Sequence, residues 1–234
     1  MSEENEPLVD VPVWDLPVRL FHWTFVVFFV LSWVSGQVGN RDLHYKSGMV
    51  LLGLVIFRLL WGIVGSPTAR FSHFLRWPHA AVRYLRHAFA ERLPSYSHGH
   101  NAAGGLMVVV LIVLAGVQAV SGMSSTDDVL FEGPLYGRWP GWLGSILEKL
   151  HGPLANVLLA LALLHILIIV FYRWFKRENL VSAMIRGRAR LPRSIARMAE
   201  QSGGTTRAPW WRALVCAVIA AAVPATIHLT LMSS

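Results

Sequence analysis

Five apolar stretches, at about 18–37, 45–65, 101–123, 150–173 and 210–232, constrain this chain more than any other feature. Each is long enough, or nearly so, to cross a hydrocarbon layer of roughly 30 Å as a helix. Backbone groups in lipid have no water to bind, and a helix satisfies them within one segment. The expected class is therefore an all-α integral membrane protein with five spans. Composition agrees, with 54% hydrophobic residues, 15% charged residues and a mean hydropathy of +0.48. Most of the apolar surface of such a chain faces lipid.

Charge gives the topology. Arg70, Arg76, Arg83, Arg86 and Arg92 lie between the second and third spans. Arg173, Lys176, Arg177, Arg186, Arg188, Arg190, Arg193, Arg197, Arg207 and Arg212 follow the fourth. The positive-inside rule puts both segments in the cytoplasm. The connection 124–149 holds Asp127, Asp128, Glu132 and Glu148 against Arg138 and Lys149, as an outer loop should. The N-terminus is then inside and the C-terminus outside. The net charge of +8 is explained by this topology, and no nucleic-acid motif accompanies it. The start, with Glu3, Glu4, Glu6 and Asp10, lacks the basic region of a signal peptide, so the first span is expected to remain in the mature protein. The single cysteine, Cys216, excludes an intrachain disulfide, a cysteine-held iron–sulfur cluster and a Cys-x-x-Cys-His haem attachment.

The histidines carry the chemistry. His151 and His165 stand fourteen residues apart in the fourth span, about 3.9 turns and roughly 21 Å of rise, so they leave one helix face at two depths. His44 opens the second span on the outer side, and His22 lies near the inner start of the first. With alternate spans reversing direction, His44 matches His151 in depth and His22 matches His165. Each pair bridges two helices, as a bis-histidine haem in a bundle requires. The inner match is looser: either the first span begins before Arg19, or His98 or His100 replaces His22, with His100 the competitor. Arg58 lies fourteen residues past His44 on the same face, and it either snorkels to the surface or pairs with a haem propionate.

The remaining segments read as accessories. Residues 1–17 form an extended cytoplasmic strap, and 70–92 a basic, aromatic helix lying in the inner interface. Gly104, Gly105, Ala115, Gly116, Ser121 and Gly122 let helices approach closely in lipid and leave room for a flat macrocycle. The loop 124–149 reads as an interfacial cap and 174–208 as a basic linker, its part 193–208 separating the first four spans from a region 209–234 that holds the fifth. His228 reads as structural or exposed.

The stretch from Val13 through Trp14, Asp15, Pro17 and Arg19 to His22-Trp23 forms a Trp-Asp-x-Pro-x-Arg-x-x-His block. With Arg58 to Gly65, Ala69-Arg70-Phe71, Gly99-His100-Asn101, His151/His165, Asn179-Leu180 and Met184 to Gly187, it resembles the bacterial cytochrome b561 family. That family includes cytochrome b subunits of nickel–iron hydrogenases and of formate dehydrogenases. The resemblance covers about residues 12–192. It implies a four-helix di-haem bundle over 18–192, to which the fifth helix is an addition. It also implies two non-covalent haem b groups, a place in the bacterial inner membrane, and electron exchange with quinone and with a periplasmic or membrane redox protein such as a cytochrome or dehydrogenase subunit. The family pattern places iron ligands on His22, His44, His151 and His165, and a quinone-side position on Asn101 with His100. Arg19, Arg41 and Arg58 are the propionate candidates. Quinone reductase or quinol oxidase activity would follow from the assembly in which the chain works.

A different class, a transporter or relay using intramembrane histidines for protons or a metal, would need a polar path through the bundle. Gln118, Ser121 and Asn156 are nearly all that the spans offer. A passive anchor would not explain depth-matched histidines.

Overall fold

The computed structural model describes residues 6–75, 77–90, 97–126 and 132–231, and the side chains at 85 and 87–90 are likewise outside it. Of the charges used above, Glu3, Glu4, Arg76, Arg92, Asp127 and Asp128 lie outside the described residues. The order is β1 (Leu8–Pro12), α1 (Leu16–Gln37), α2 (Arg41–Val64), a 3-10 turn (Pro67–Ala69), α3 (Phe71–Phe74), α4 (Pro78–Ala90), α5 (Ala102–Met123), α6 (Gly141–Phe175), α7 (Leu180–Arg186), β2 (Arg188–Pro192), α8 (Arg193–Gln201) and α9 (Trp210–Leu231). Among the described residues five helices, α1, α2, α5, α6 and α9, are long and apolar enough to cross a membrane. They turn large side chains outward, Val27, Ile63, Leu167 and Leu229 among them, as lipid-facing helices do. The chain is a multi-pass, all-α membrane protein, with one two-stranded sheet among the described residues.

Two boundaries differ from the sequence reading. Helix α6 starts at Gly141, inside the stretch read as a loop, and runs 35 residues, about 52 Å. The Pro140 carbonyl accepts from the Leu143 and Gly144 amides and starts the helix, which continues through polar Glu148 and Lys149 where hydropathy alone would stop it. The residues read as a basic linker are ordered too. They contain β2 and α8, and Ala196 and Ala199 of α8 are buried.

The chain divides into two compact units. The first comprises residues 1–20, 60–109 and 163–213. In it β1 pairs antiparallel with β2, from Leu8 opposite Pro192 to Pro12 opposite Arg188, over a small core of Val11, Val13, Leu191 and Ala196. The stretch 1–17 read as an extended strap thus holds a strand at Leu8–Pro12, its Leu16 and Pro17 belong to α1, and its residues 1–5 lie outside the described residues. Ser194 Oγ donates to Glu6 Oε2 at 2.6 Å and, helped by Arg197 and Arg193, holds this exposed carboxyl below its ordinary range. The contact is complete above the ordinary carboxylate pKa and is lost as pH falls through the lowered value.

The residues of the Trp-Asp-x-Pro-x-Arg block hold this unit together. Asp15 Oδ1 accepts from the Val18 amide at 2.9 Å and caps α1, while its Oδ2 accepts from the buried Trp61 indole at 3.0 Å. The Val13 and Trp14 amides donate to the Gly187 carbonyl, and Arg19 Nη1 donates to the Ile185 carbonyl at 2.6 Å. Gly187 ends α7 at φ 77°, with no room for a side chain: a Cβ there would lie 2.7 Å from the Trp14 carbonyl oxygen. Thr68 Oγ1 donates to the Val13 carbonyl and Arg70 Nε to the Gly65 carbonyl.

The second unit comprises 21–59, 110–162 and 214–234. Here α9 lies against α2. A Cβ on Gly53 would sit 3.1 Å from the Ala220 carbonyl oxygen, and Tyr45 Oη meets His228 Nδ1 at 3.1 Å. Cys216, Ala220 and Pro224, one helical stripe, are the buried residues of that helix. Residues 214–231 of α9 thus belong to this unit, and His228 is exposed there, in contact with Tyr45.

Asp15→Ala removes both the cap and the acceptor of a buried indole. It should lower the stability of the detergent-solubilised protein by about 2–4 kcal/mol, read as a fall in thermal midpoint, with Asn at the same position recovering part of it. An unchanged midpoint would contradict the assigned role.

Candidate functional site

His44, in the first turn of α2, and His151, in the interior of α6, face each other with ring centroids 5.9 Å apart and planes at 84°. Each ring is held through Nδ1. His44 Nδ1 donates to the Ser32 carbonyl at 2.8 Å and His151 Nδ1 to the Gln118 carbonyl at 3.1 Å. A nitrogen bonded to a carbonyl must carry the proton, so the network assigns the Nδ1–H tautomer to both rings and leaves the lone pair on Nε2. That is the arrangement in which metal-ligating histidines are held. The Gln118 amide nitrogen lies 3.4 Å from His151 Nε2, as a weak donor to that lone pair would, and Gln118 Oε1 is buried with no hydrogen-bond partner among the described residues.

Glycines make room for both rings. A Cβ on Gly36 of α1 would lie 3.0 Å from His44 Nδ1, and one on Gly122 of α5 would lie 2.6 Å from His151 Cε1.

The other sequence-selected residues fall as follows. His22 is in the second turn of α1, which begins at Leu16, so this helix does start before Arg19. Its ring meets Trp23 edge-on at 4.9 Å. His165 is half-buried and shares a face of α6 with His151, Leu154, Leu158 and Tyr172. Arg58 is 2% exposed, so it does not snorkel to the surface. Arg41 is exposed at the start of α2. Arg19 is engaged with the end of α7. His98 Nε2 meets the Pro12 carbonyl at 2.9 Å. His100 packs between Trp14 and Phe74, each 4.5 Å away.

Asn101 has a local task. Its Oδ1 accepts from the Gly104 amide at 2.8 Å and caps α5, and its Nδ2 donates to Tyr172 Oη at 3.2 Å. Tyr172 Oη in turn meets Tyr84 Oη at 2.7 Å. Sequence reasoning missed both tyrosines, which lie on different helices and have no shared motif.

A model of the prokaryotic cytochrome b561 family matches residues 13–187. The chain belongs to this family. It is a membrane b-type cytochrome of electron transfer, and its curated relatives carry related names. A probable Ni/Fe-hydrogenase B-type cytochrome subunit of Bradyrhizobium diazoefficiens is 24% identical over 212 residues, covering 76% of this chain and 85% of the relative. One from Rhodobacter capsulatus is 23% identical over 210 residues, covering 76% and 80%. A probable Ni/Fe-hydrogenase 1 B-type cytochrome subunit of Escherichia coli is 22% identical over 147 residues, covering 50% and 63%. No solved structure matches the chain.

The donors in this cytochrome suit haem b. Two imidazoles from different helices are each held through Nδ1, and among the described residues no cluster of three or more His, Cys, Asp or Glu side chains could hold a bare metal ion. Two protein ligands suffice when a macrocycle supplies the rest.

Because Asn101 caps α5, Asn101→Ala should cost about 1 kcal/mol, seen as a lower thermal midpoint. Asn101→Asp, whose carboxylate still accepts from Gly104, should restore most of it. Equal midpoints for both variants would refute the cap.

Proposed function

We propose that the chain is a di-haem cytochrome that carries electrons across the bacterial inner membrane between a redox enzyme and the quinone pool, with its N-terminus cytoplasmic and its C-terminus periplasmic. The opposed, Nδ1-anchored imidazoles of His44 and His151 carry this reading, within a family of b-type cytochromes. Bound haem supplies a one-electron iron couple in an apolar setting. His44 and His151 hold one group through Nε2. His22 and His165 hold the second, a pairing that rests on the fourteen-residue spacing and on the early start of α1. Arg58, charged and buried, is the strongest propionate partner, while Arg19 and Arg41 belong to the same proposal from sequence alone. The quinone side is assigned to Asn101 and His100. The names of the relatives favour a hydrogenase-like enzyme as the redox partner.

A dithionite-reduced minus oxidised spectrum with pyridine haemochrome quantification should give two b haems per chain. His44→Ala and His151→Ala should each remove the same haem, and His22→Ala and His165→Ala the other. A single haem in the unaltered protein would refute the second pair, and none would refute the cytochrome assignment of these histidines. The quinone role is tested with the cap-preserving Asn101→Asp, which should slow quinol oxidation while both haem spectra persist. An unchanged rate would remove Asn101 from the quinone site.

A further inference from the structure

The two cradles that hold His44 and His151 are the same device built twice. At the end of α1 the sequence reads Ser32-Trp33-Val34-Ser35-Gly36, and at the end of α5 it reads Gln118-Ala119-Val120-Ser121-Gly122. In each, the carbonyl of the first residue accepts from the serine three residues on: Ser35 Oγ to Ser32 O at 3.0 Å and Ser121 Oγ to Gln118 O at 2.9 Å. The same carbonyl accepts from the histidine Nδ1 of the neighbouring helix. The glycine comes four residues on in both.

The spacing has a geometric cause. In a helix the carbonyl of residue i points at the N–H of residue i+4, so a second donor must come in past the side chain of i+4. With glycine there, an imidazole can approach; with alanine, its Cβ would stand 3.0 Å from His44 Nδ1 or 2.6 Å from His151 Cε1. Serine hydroxyls stay close in both cradles, Ser32 Oγ at 3.4 Å from His44 Nδ1 and Ser121 Oγ at 3.2 Å from His151 Nδ1. Both cradles also lie in the last turns of their helices, where the macrodipole is negative and favours a donor proton.

We infer that the paired Val-Ser-Gly elements, through Gly36 and Gly122, are positioning residues that set the tautomer, ring orientation and basicity of the two histidines, and thereby the redox potential of the haem they ligate. This rests on the haem assignment of His44 and His151 above. A carbonyl pulling on Nδ1–H makes Nε2 a stronger donor to iron and favours the oxidised state. Loss of that bond therefore raises the midpoint potential.

The test is redox titration of the purified full-length protein, with haem content per chain and the ferric low-spin EPR signal, for Gly36→Ala, Gly122→Ala and Ser121→Ala. Gly144→Ala serves as control, because a Cβ there meets only Trp139 Cβ at an ordinary 3.8 Å. Gly36→Ala and Gly122→Ala should raise the potential of the haem that His151→Ala removes, change its EPR signal and weaken its retention about 10- to 100-fold. The other haem and the control should be unmoved. Ser121→Ala adds no bulk, removes a hydroxyl that shares the Gln118 carbonyl with His151, and should move the potential and EPR signal of the same haem alone, which keeps the inference testable if a glycine variant does not fold. Unchanged potentials and EPR signals in variants that retain two haems would overturn the inference, as would equal shifts of both haems. If the unaltered protein binds no haem, the underlying assignment fails instead, a result told apart by the haem count alone.

Discussion

A polar hydrogen placed in lipid has only the protein itself to bond to, and the rest of this structure follows from that constraint. Serines within the long helices turn back onto carbonyls of their own chain, as Ser47 does to Leu43 and Ser124 to Val120. The Trp61 indole finds Asp15 and the Tyr172 hydroxyl finds Tyr84. For His44 and His151 the same requirement has a chemical result. Satisfying one nitrogen with a carbonyl fixes which nitrogen keeps its lone pair. The requirement is not absolute, since the Trp33 indole of α1 is buried without a hydrogen-bond partner among the described residues, but at these two histidines it is met.

The spans were legible because lipid imposes a length and an apolar composition that a sequence displays directly. Helix ends were less so. Hydropathy falls at Glu148 and Lys149, yet α6 begins at Gly141, because backbone hydrogen bonding continues after apolar content stops. The order in 188–201 was not legible at all. Its strand pairs with residues about 180 positions earlier, and a short basic stretch carries no local sign of so distant a partner. At the site, spacing put His44 and His151 on facing helices, and the structure places their rings together. The cradles were hidden because their active group is a main-chain carbonyl, the same in every sequence. Only the recurring Val-Ser-Gly marks them.

Some residues that carry the family resemblance hold the fold together, and others, His22, Arg58, His100, Asn101, His151 and His165, are those proposed for the chemistry. Trp14, Asp15, Arg19 and Gly187 tie the start of the chain to the end of α7. Such a clamp tolerates little change, since a capped helix end, a buried indole and a left-handed glycine each reject most substitutions. Asn101 shows how one position can belong to both sets. Its cap to Gly104 and its bond to Tyr172 are structural, and they also fix the amide near His100, where a quinone-facing role is proposed. A single alanine variant mixes the two contributions, so its loss of activity would identify neither.

The relay reading of the intramembrane histidines turns on coordination number. A transition metal bound by protein alone prefers three or four side chains, and a proton path needs a succession of donors and acceptors. His44 and His151 instead have their Nδ1 protons committed to carbonyls, which ends a proton path at each ring. What remains is one lone pair from each of two helices. Two donors are too few for a bare ion, yet they match a metal that brings four ligands of its own. The arrangement therefore favours haem for a reason separate from family membership.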